Sequence, residues 1–318
     1  MKRTCACLIV LFVVACAPAR AVLPEYVLRD LGDLGFATFT AADINETGQA
    51  VFNEAAGGNR FFYWDGNTLE EVVGVAGFGV NDHGQVAATT GQQSYVWDGT
   101  SHEVPLNRVL DINNAGQLIG TTNTPYATWL YAAGQLTALG PGIEPLALNN
   151  RGQIAGYKRV GETVSYPLIW TAGGGQVMPF RGGAYGINDL GQIVGSADLG
   201  DPEGVAHAFY WDGIAAHDIG RGAAYDVNDH GRVVGGFGPS GAGVWEDGQV
   251  AKLPDFGVGL YSLAFAVNNS GVIAGIAKAA FGHAHIVLWE PVPEPASLPS
   301  LAAGVLSLGL LLRWRRAR

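Results

Sequence analysis

The stretch Asp111-Ile112-Asn113-Asn114-Ala115-Gly116 contains the phrase that decides the fold of this 318-residue chain: an aliphatic residue, an asparagine, two variable positions and a glycine. The phrase occurs seven times, with its asparagines at Asn45, Asn81, Asn113, Asn149, Asn188, Asn228 and Asn268. The preceding residues are Ile44, Val80, Ile112, Leu148, Ile187, Val227 and Val267, and the glycines are Gly48, Gly84, Gly116, Gly152, Gly191, Gly231 and Gly271. Successive asparagines lie 36, 32, 36, 39, 40 and 40 residues apart. A period in that range marks a repeat architecture in which each copy is one supersecondary unit.

The residues around the phrase read as four short strands. The first ends at the aliphatic-Asn pair. The phrase itself is a tight turn, started by the asparagine side chain bonding to nearby backbone and completed by a glycine at positive φ. A second strand follows at once, as in Gln153-Ile154-Ala155-Gly156 and Gln192-Ile193-Val194-Gly195. The glycines that close it (Gly120, Gly156, Gly195, Gly235, Gly275) imply the close approach of another backbone. The third strand ends in Trp64, Trp97, Trp129, Trp170, Trp211, Trp245 or Trp289, and Asp65-Gly66, Asp98-Gly99, Asp212-Gly213 and Asp247-Gly248 then signal hairpins. The fourth strand is short and finishes in pairs such as Leu139-Gly140 and Ile219-Gly220. No segment of the repeat region carries a helical period. The expected fold is therefore all-β, a seven-bladed β-propeller of four-stranded repeats, with an open β-solenoid as the alternative.

The seventh repeat stops at its third strand, His285-Ile286-Val287-Leu288-Trp289. Its missing strand is expected from Tyr26-Val27-Leu28-Arg29-Asp30-Leu31-Gly32, which matches His217-Asp218-Ile219-Gly220 and would close the ring by removing an open edge. The seven repeat tryptophans are expected to pack between adjacent blades rather than to form a sugar-stacking set.

Both ends of the chain read as processing segments. Residues 1–21 have Lys2 and Arg3, an apolar run from Leu8 to Ala15 and an Ala19-Arg20-Ala21 cleavage site, the pattern of a secretory signal peptide. Val13-Val14-Ala15-Cys16 also loosely fits a lipoprotein signal, with Cys16 as the lipidated residue. All three cysteines (Cys5, Cys7, Cys16) fall in this segment, so the mature repeat domain, residues 22–290, is expected to rely on its core and not on disulfides. Residues 22–312 carry 11 basic residues against 28 acidic ones, a formal charge of −17. Such a surface repels nucleic acid.

Residues 291–318 form the tail: Val292-Pro293-Glu294-Pro295, an uncharged apolar stretch over 296–312, and Arg313-Trp314-Arg315-Arg316-Ala317-Arg318. Seventeen apolar residues reach the lower limit for a transmembrane helix, and the arginines would hold its end in the cytoplasm. The order Pro-Glu-Pro, hydrophobic helix, arginine cluster resembles the PEP-CTERM sorting domain of Gram-negative bacteria. The resemblance implies an exosortase-type sorting protease as a partner, with Pro293, Glu294, Pro295, Arg313, Arg315 and Arg316 as the sorting signal. It also implies a transient inner-membrane anchor, followed by the cell surface or extracellular matrix. A permanent single-pass anchor is the alternative. The repeats resemble the bacterial extracellular repeats named after His-Ala-Phe, present here as His207-Ala208-Phe209.

The chemical signals are weaker. Phrases such as Asp43-Ile44-Asn45-Glu46-Thr47-Gly48 echo the start of a calcium loop but lack its closing glutamate, so they are read as turns, with weak peripheral calcium binding as the only cofactor expectation. His83 and His230 occupy variable turn positions, and His283-x-His285 lacks a third metal ligand nearby. No nucleophile elbow, zinc helix or phosphate loop is present. Loops such as Asp198 to Gly204 and Ser165-Tyr166-Pro167 are expected contact points. The functional expectation is a non-catalytic exported propeller that binds extracellular polysaccharide or matrix. The alternative is a secreted glycosidase or lyase with carboxylates converging in the central channel.

Overall fold

The computed structural model describes residues 23–33, 39–54, 60–73, 76–91, 93–238, 241–257, 261–279 and 283–293. The expected signal peptide, the 296–312 helix and the sorting residues Glu294, Pro295, Arg313, Arg315 and Arg316 lie outside them, whereas Pro293 is the last residue inside.

Among the described residues there are 27 strands and no α-helix. They form five sheets of four strands and one of seven, all antiparallel with sequential strands adjacent. The third unit is representative, with strands Arg108–Ile112, Leu118–Asn123, Tyr126–Ala132 and Gln135–Ala138. The seven-stranded sheet is two such units sharing one strand. Ala216–Val227 pairs through its first half with His207–Trp211 and through its second half with Val233–Phe237. The remaining special case joins the two ends of the repeat region: Tyr26–Asp33 pairs with Ala284–Pro291, placing Leu28 opposite Trp289. That segment is the fourth strand of the sheet built on Ser262–Val267.

Burial falls across each unit in a way the sequence explains. Second strands begin apolar on both faces and buried, as at Ile154-Ala155-Gly156, whereas every residue of fourth strands such as Gln135–Ala138 and Gly174–Val177 is exposed. The core lies between units. Trp97 meets Phe61 and Tyr63 of the preceding unit edge-on, at ring-centroid distances of 5.5 and 5.2 Å. Trp170 packs with Ile119 and Leu139 of the unit before it, and Trp64 packs with Ile276, Ile286 and Leu288 of the last unit. Trp289 is completely buried and donates its Nε1–H to the Pro254 carbonyl at 2.7 Å. The tryptophans thus pack between units, as expected.

The first strands line the middle. Each touches the first strand of the next unit, and Phe39–Ile44 touches both Ala76–Val80 and Ser262–Val267. Six of them share a β-bulge three residues before the asparagine, at Phe78, Leu110, Leu146, Tyr185, Tyr225 and Phe265. A bulge re-aims the unpaired side chain, and all six line the central cavity. The glycines at the ends of the second strands explain themselves here. A Cβ on Gly120, Gly156, Gly195, Gly235 or Gly275 would lie on the carbonyl oxygen of Arg108, Glu144, Gly183, Ala223 or Leu263, on the paired first strand.

Candidate functional site: the central channel

The seven asparagine turns meet at one mouth of the channel. In each, the asparagine main-chain N–H donates to the carbonyl four residues on, and the glycine N–H donates back to the asparagine carbonyl, all at 2.9–3.1 Å. The glycines have φ between 69° and 84°, where an L side chain is strained. Each asparagine Oδ1 accepts the N–H four residues on. Each Nδ2 reaches further, donating to the asparagine carbonyl of the next unit at 2.7–3.1 Å. The series runs from Asn45 to Asn81 and onward, and Asn268 donates to Asn45. All seven are buried, 2–5% exposed. The turn reading was available from sequence; the bond to the neighbouring unit was not.

The residue after each asparagine makes a second circuit. These are Glu46, Asp82, Asn114, Asn150, Asp189, Asp229 and Asn269, and each main-chain N–H donates to the side-chain oxygen of the next member. Asn114, Asn150 and Asn269 also donate side-chain N–H groups to Asp82, Asp189 and Asp229. Four carboxylates therefore share one mouth. Burial raises the Glu46 pKa, and the charges of Asp82, Asp229 and Asp189 add to the rise against the Asn269 N–H bond.

Deeper in the channel, the position two before the asparagine is Asp43, Asp111 and Asp226 in three units and Gly79, Ala147, Gly186 and Ala266 in the others. Each of these aspartates accepts the next main-chain N–H of its own strand, from Ile44, Ile112 or Val227. Each also accepts an N–H of the following unit, from Val80, Leu148 or Val267; all six bonds are 2.7–2.9 Å. The small residues between them make room: a Cβ on Gly79 would strike the Asp111 carboxylate, and one on Gly186 would crowd the Asp226 main chain. All three face the channel, yet protein atoms surround them closely enough that desolvation dominates their acidity. Burial raises the Asp226 pKa to about 7, against two N–H bonds that favour the charged form. Burial also raises Asp43, and it raises Asp111 strongly, with the Asp43 charge adding to the rise.

The cavity has a volume of about 550 Å³, and no Lys or Arg lines it. Beyond the carboxylates stands the collar of bulged side chains, where Tyr185 stacks on Tyr225 at 6.1 Å and Tyr225 tilts against Phe265 at 5.5 Å. Among the described residues no group of three His, Cys, Asp or Glu side chains is placed to hold a metal ion. His283 and His285 instead pair with Asp33 and Asp30 of the N-terminal strand, at 3.2 and 2.9 Å.

The loop over Asp198 to Gly204 is pinned by the histidine of His207-Ala208-Phe209. His207 Nε2 bonds Asp201 at 3.1 Å and its Nδ1 bonds Asp218 at 2.9 Å, while Arg221 Nε donates to Asp201 at 2.9 Å. Asp218 and Asp201 raise the His207 pKa. The other expected contact loop is corrected: Ser165-Tyr166-Pro167 lies inside the strand Val164–Thr171, paired with Ile154–Val160. These strands are longer than in most units, so the hairpin tip falls beyond them near Gly161.

A pH prediction follows from the raised acids. A carboxyl whose folded pKa exceeds its unfolded value stabilises the fold below the unfolded pKa, near 4, and that stability is lost as pH rises through the folded pKa. His207, also raised, acts in the same direction. Melting temperature is therefore expected to rise as pH is lowered from 8 to about 5. Asp226→Asn should flatten that slope, whatever it does to the absolute value. An unchanged slope in Asp226→Asn, measured by calorimetry across the range, would contradict the assignment.

The sequence matches no protein-family model and no curated protein. Among solved structures, the chain is similar to the β-propeller domain of the Trilobed protease from Pyrococcus furiosus, with a TM-score of 0.57 at 13% identity over 80% of this chain and 95% of that one. The fold is a β-propeller. Weaker likenesses to this propeller are AofleA from Arthrobotrys oligospora (TM-score 0.39, 16% identity, 82% of this chain and 89% of that one) and the SapL1 lectin in complex with alpha methyl fucoside (TM-score 0.39, 13% identity, 80% and 96%). Identities this low speak to the fold alone.

What sequence reasoning missed in the propeller is that the three aspartates and the second circuit bond one unit to the next. One signal could have found the first set. Asp111 and Asp226 each follow a unit with glycine at the matching position, Gly79 and Gly186, a pairing that an alignment of the seven copies displays.

Proposed function

We propose that the chain is a seven-bladed propeller, closed by the strand Tyr26–Asp33, which is exported as a non-catalytic binding protein of the cell surface or extracellular matrix. Its ligand is an exopolysaccharide or another matrix component. Closure is supported by the Tyr26–Asp33 pairing and by the asparagine bonds that return from Asn268 to Asn45. Sorting by an exosortase-type protease acting near Pro293-Glu294-Pro295 rests on the tail sequence.

One observation carries the non-catalytic reading. Each of the seven channel carboxylates accepts a main-chain N–H from a neighbouring unit. The acids are thereby committed to joining units. The second reading, a polysaccharide-active enzyme, is favoured by the raised pKa values of Asp43, Asp111 and Asp226 in one cavity.

Cell fractionation of strains expressing the full chain and a chain ending at Pro291 tests the main reading. The full chain is expected outside the cell with the polysaccharide fraction, and the shortened one is not expected to reach it. Retention of full-length protein in the inner membrane would sink the sorting proposal. New reducing ends in polysaccharide treated with the purified full chain, lost in Asp111→Asn, would favour the enzyme.

A further inference from the structure

We propose that a cavity lined by the second, third and fourth units, at the strand ends away from the asparagine turns, is a subsite for a carboxylate-bearing sugar, with Arg108 as the anion contact and Tyr126 as the ring-stacking wall. The proposal rests on the polysaccharide-binding reading and names the sugar class that reading leaves open. The cavity has a volume of about 520 Å³, in the range of ligand pockets, and shares the bulged Phe78, Leu110 and Leu146 with the channel.

Its walls combine aromatic faces with two exposed polar side chains, Asn123 and Arg108. Tyr126 is 60% exposed, held at the turn between the second and third strands of its unit. Tyr157 of the fourth unit lines the same cavity. The side-chain amide of Asn123 makes no hydrogen bond among the described residues. Arg108 is exposed, and its guanidinium lies 5.2 Å from the centroid of the Phe78 ring. Like Arg151 and Arg181 it has no carboxylate partner among the described residues, whereas Arg29, Arg60, Arg159, Arg221 and Arg232 are ion-paired.

The charge of the cavity points to an anion. Its one acid, Glu144, is already neutralised: Tyr126 donates its hydroxyl to one oxygen at 2.5 Å, and Arg159 lies 3.3 Å from the other. The Tyr126 pKa is pushed up to about 12 by burial and by that bond, so the phenol stays a donor and adds no charge. Lys158 lies alongside on the same strand, bonded to the Pro141 carbonyl. Arg108 is thus an uncompensated cation in a chain that is otherwise acidic, at the end of the molecule away from the mouth carboxylates. A guanidinium forks onto a carboxylate through two parallel N–H bonds. An aromatic face suits the C–H side of a pyranose, and a free amide suits its hydroxyl rim. A uronic acid residue presents all three features.

Isothermal titration of the purified full chain with trigalacturonate, trimannuronate and neutral galactotriose tests the proposal. One of the acidic trisaccharides is expected to bind at least about tenfold more tightly than galactotriose, a preference of about 1.4 kcal/mol. Arg108→Gln should abolish the preference, and Tyr126→Ala should weaken binding of the acidic sugar by about tenfold. Both side chains are exposed, so neither change threatens the fold. Failure of both acidic sugars to bind, or equal affinity in Arg108→Gln, overturns the subsite. Matrix association separates the two readings. If Arg108→Gln still co-sediments with native exopolysaccharide, only the subsite fails; if the unmodified protein does not co-sediment, the function itself fails.

Discussion

Asn149→Ala is expected to destabilise the protein by ~3–5 kcal/mol, because buried groups that lose a partner each cost about 1–3 kcal/mol. Asn149 is 4% exposed and sits midway round the series. Its Oδ1 accepts the N–H groups of Arg151 and Gln153 at 3.1 and 2.9 Å, and its Nδ2 donates to Gln153 Oε1 and the Asn188 carbonyl, both at 2.8 Å. Alanine removes all four bonds. Asn149→Asp keeps an acceptor for the two N–H groups and loses only the donors, so it should cost distinctly less. The measurement is the shift in urea midpoint at constant denaturant slope. A loss below about 1 kcal/mol for Asn149→Ala would mean that the turn is held by its backbone alone.

Gly195→Ala should be of similar severity, for a different reason. Gly195 lies opposite Ala184 beside the bulge at Tyr185, and an added methyl would fall on the Gly183 carbonyl oxygen and 2.9 Å from Phe209 Cε1. Neither can yield easily: the carbonyl belongs to a paired strand, and Phe209 is completely buried. Overpacking of this kind costs ~1–3 kcal/mol, and backbone displacement takes it to the upper end or beyond. Gly173→Ala is the control. That glycine is at an exposed hairpin, and a Cβ there would touch only Thr171 Oγ1 at an ordinary 3.7 Å. It should change the midpoint by less than about 0.5 kcal/mol. Equal effects at the two sites would show that the close approach is not what glycine serves at Gly195.

The parts of this fold that could be read in advance are those each copy encodes by itself. The asparagine turn, the glycine at positive φ, the crowded glycine of the second strand and the tryptophan at the end of the third all repeat within one unit, so seven copies reinforced a single reading. The N-terminal strand was legible as well, because Tyr26 to Gly32 resembles a fourth strand that Trp289 left without a partner. What stayed hidden depends on two units at once. Nothing in Asn113 announces that its Nδ2 crosses to Asn149. Asp43, Asp111 and Asp226 occur in only three copies, so the substitution pattern looks like drift until the opposing Gly79 and Gly186 are set beside it. Arg108 and Tyr126 become a site only together with Glu144 and Tyr157 of the next unit. Ser165-Tyr166-Pro167 was read as a variable loop, whereas in this longer hairpin it lies within the strand Val164–Thr171.

The pairing of Tyr26–Asp33 with Ala284–Pro291 also sets an order of events. Six units can form as the chain is made, each from contiguous residues. The sheet on Ser262–Val267 alone must wait, because its outer strand is synthesised roughly 260 residues before the strand it joins, and such distant closures are slow. Until then the earliest segment has no partner. Deleting Tyr26–Asp33 or Ala284–Pro291 should therefore injure the same sheet, although the two segments are almost the whole domain apart in sequence. The repeat region has a seam, and its first and last described strands meet at it.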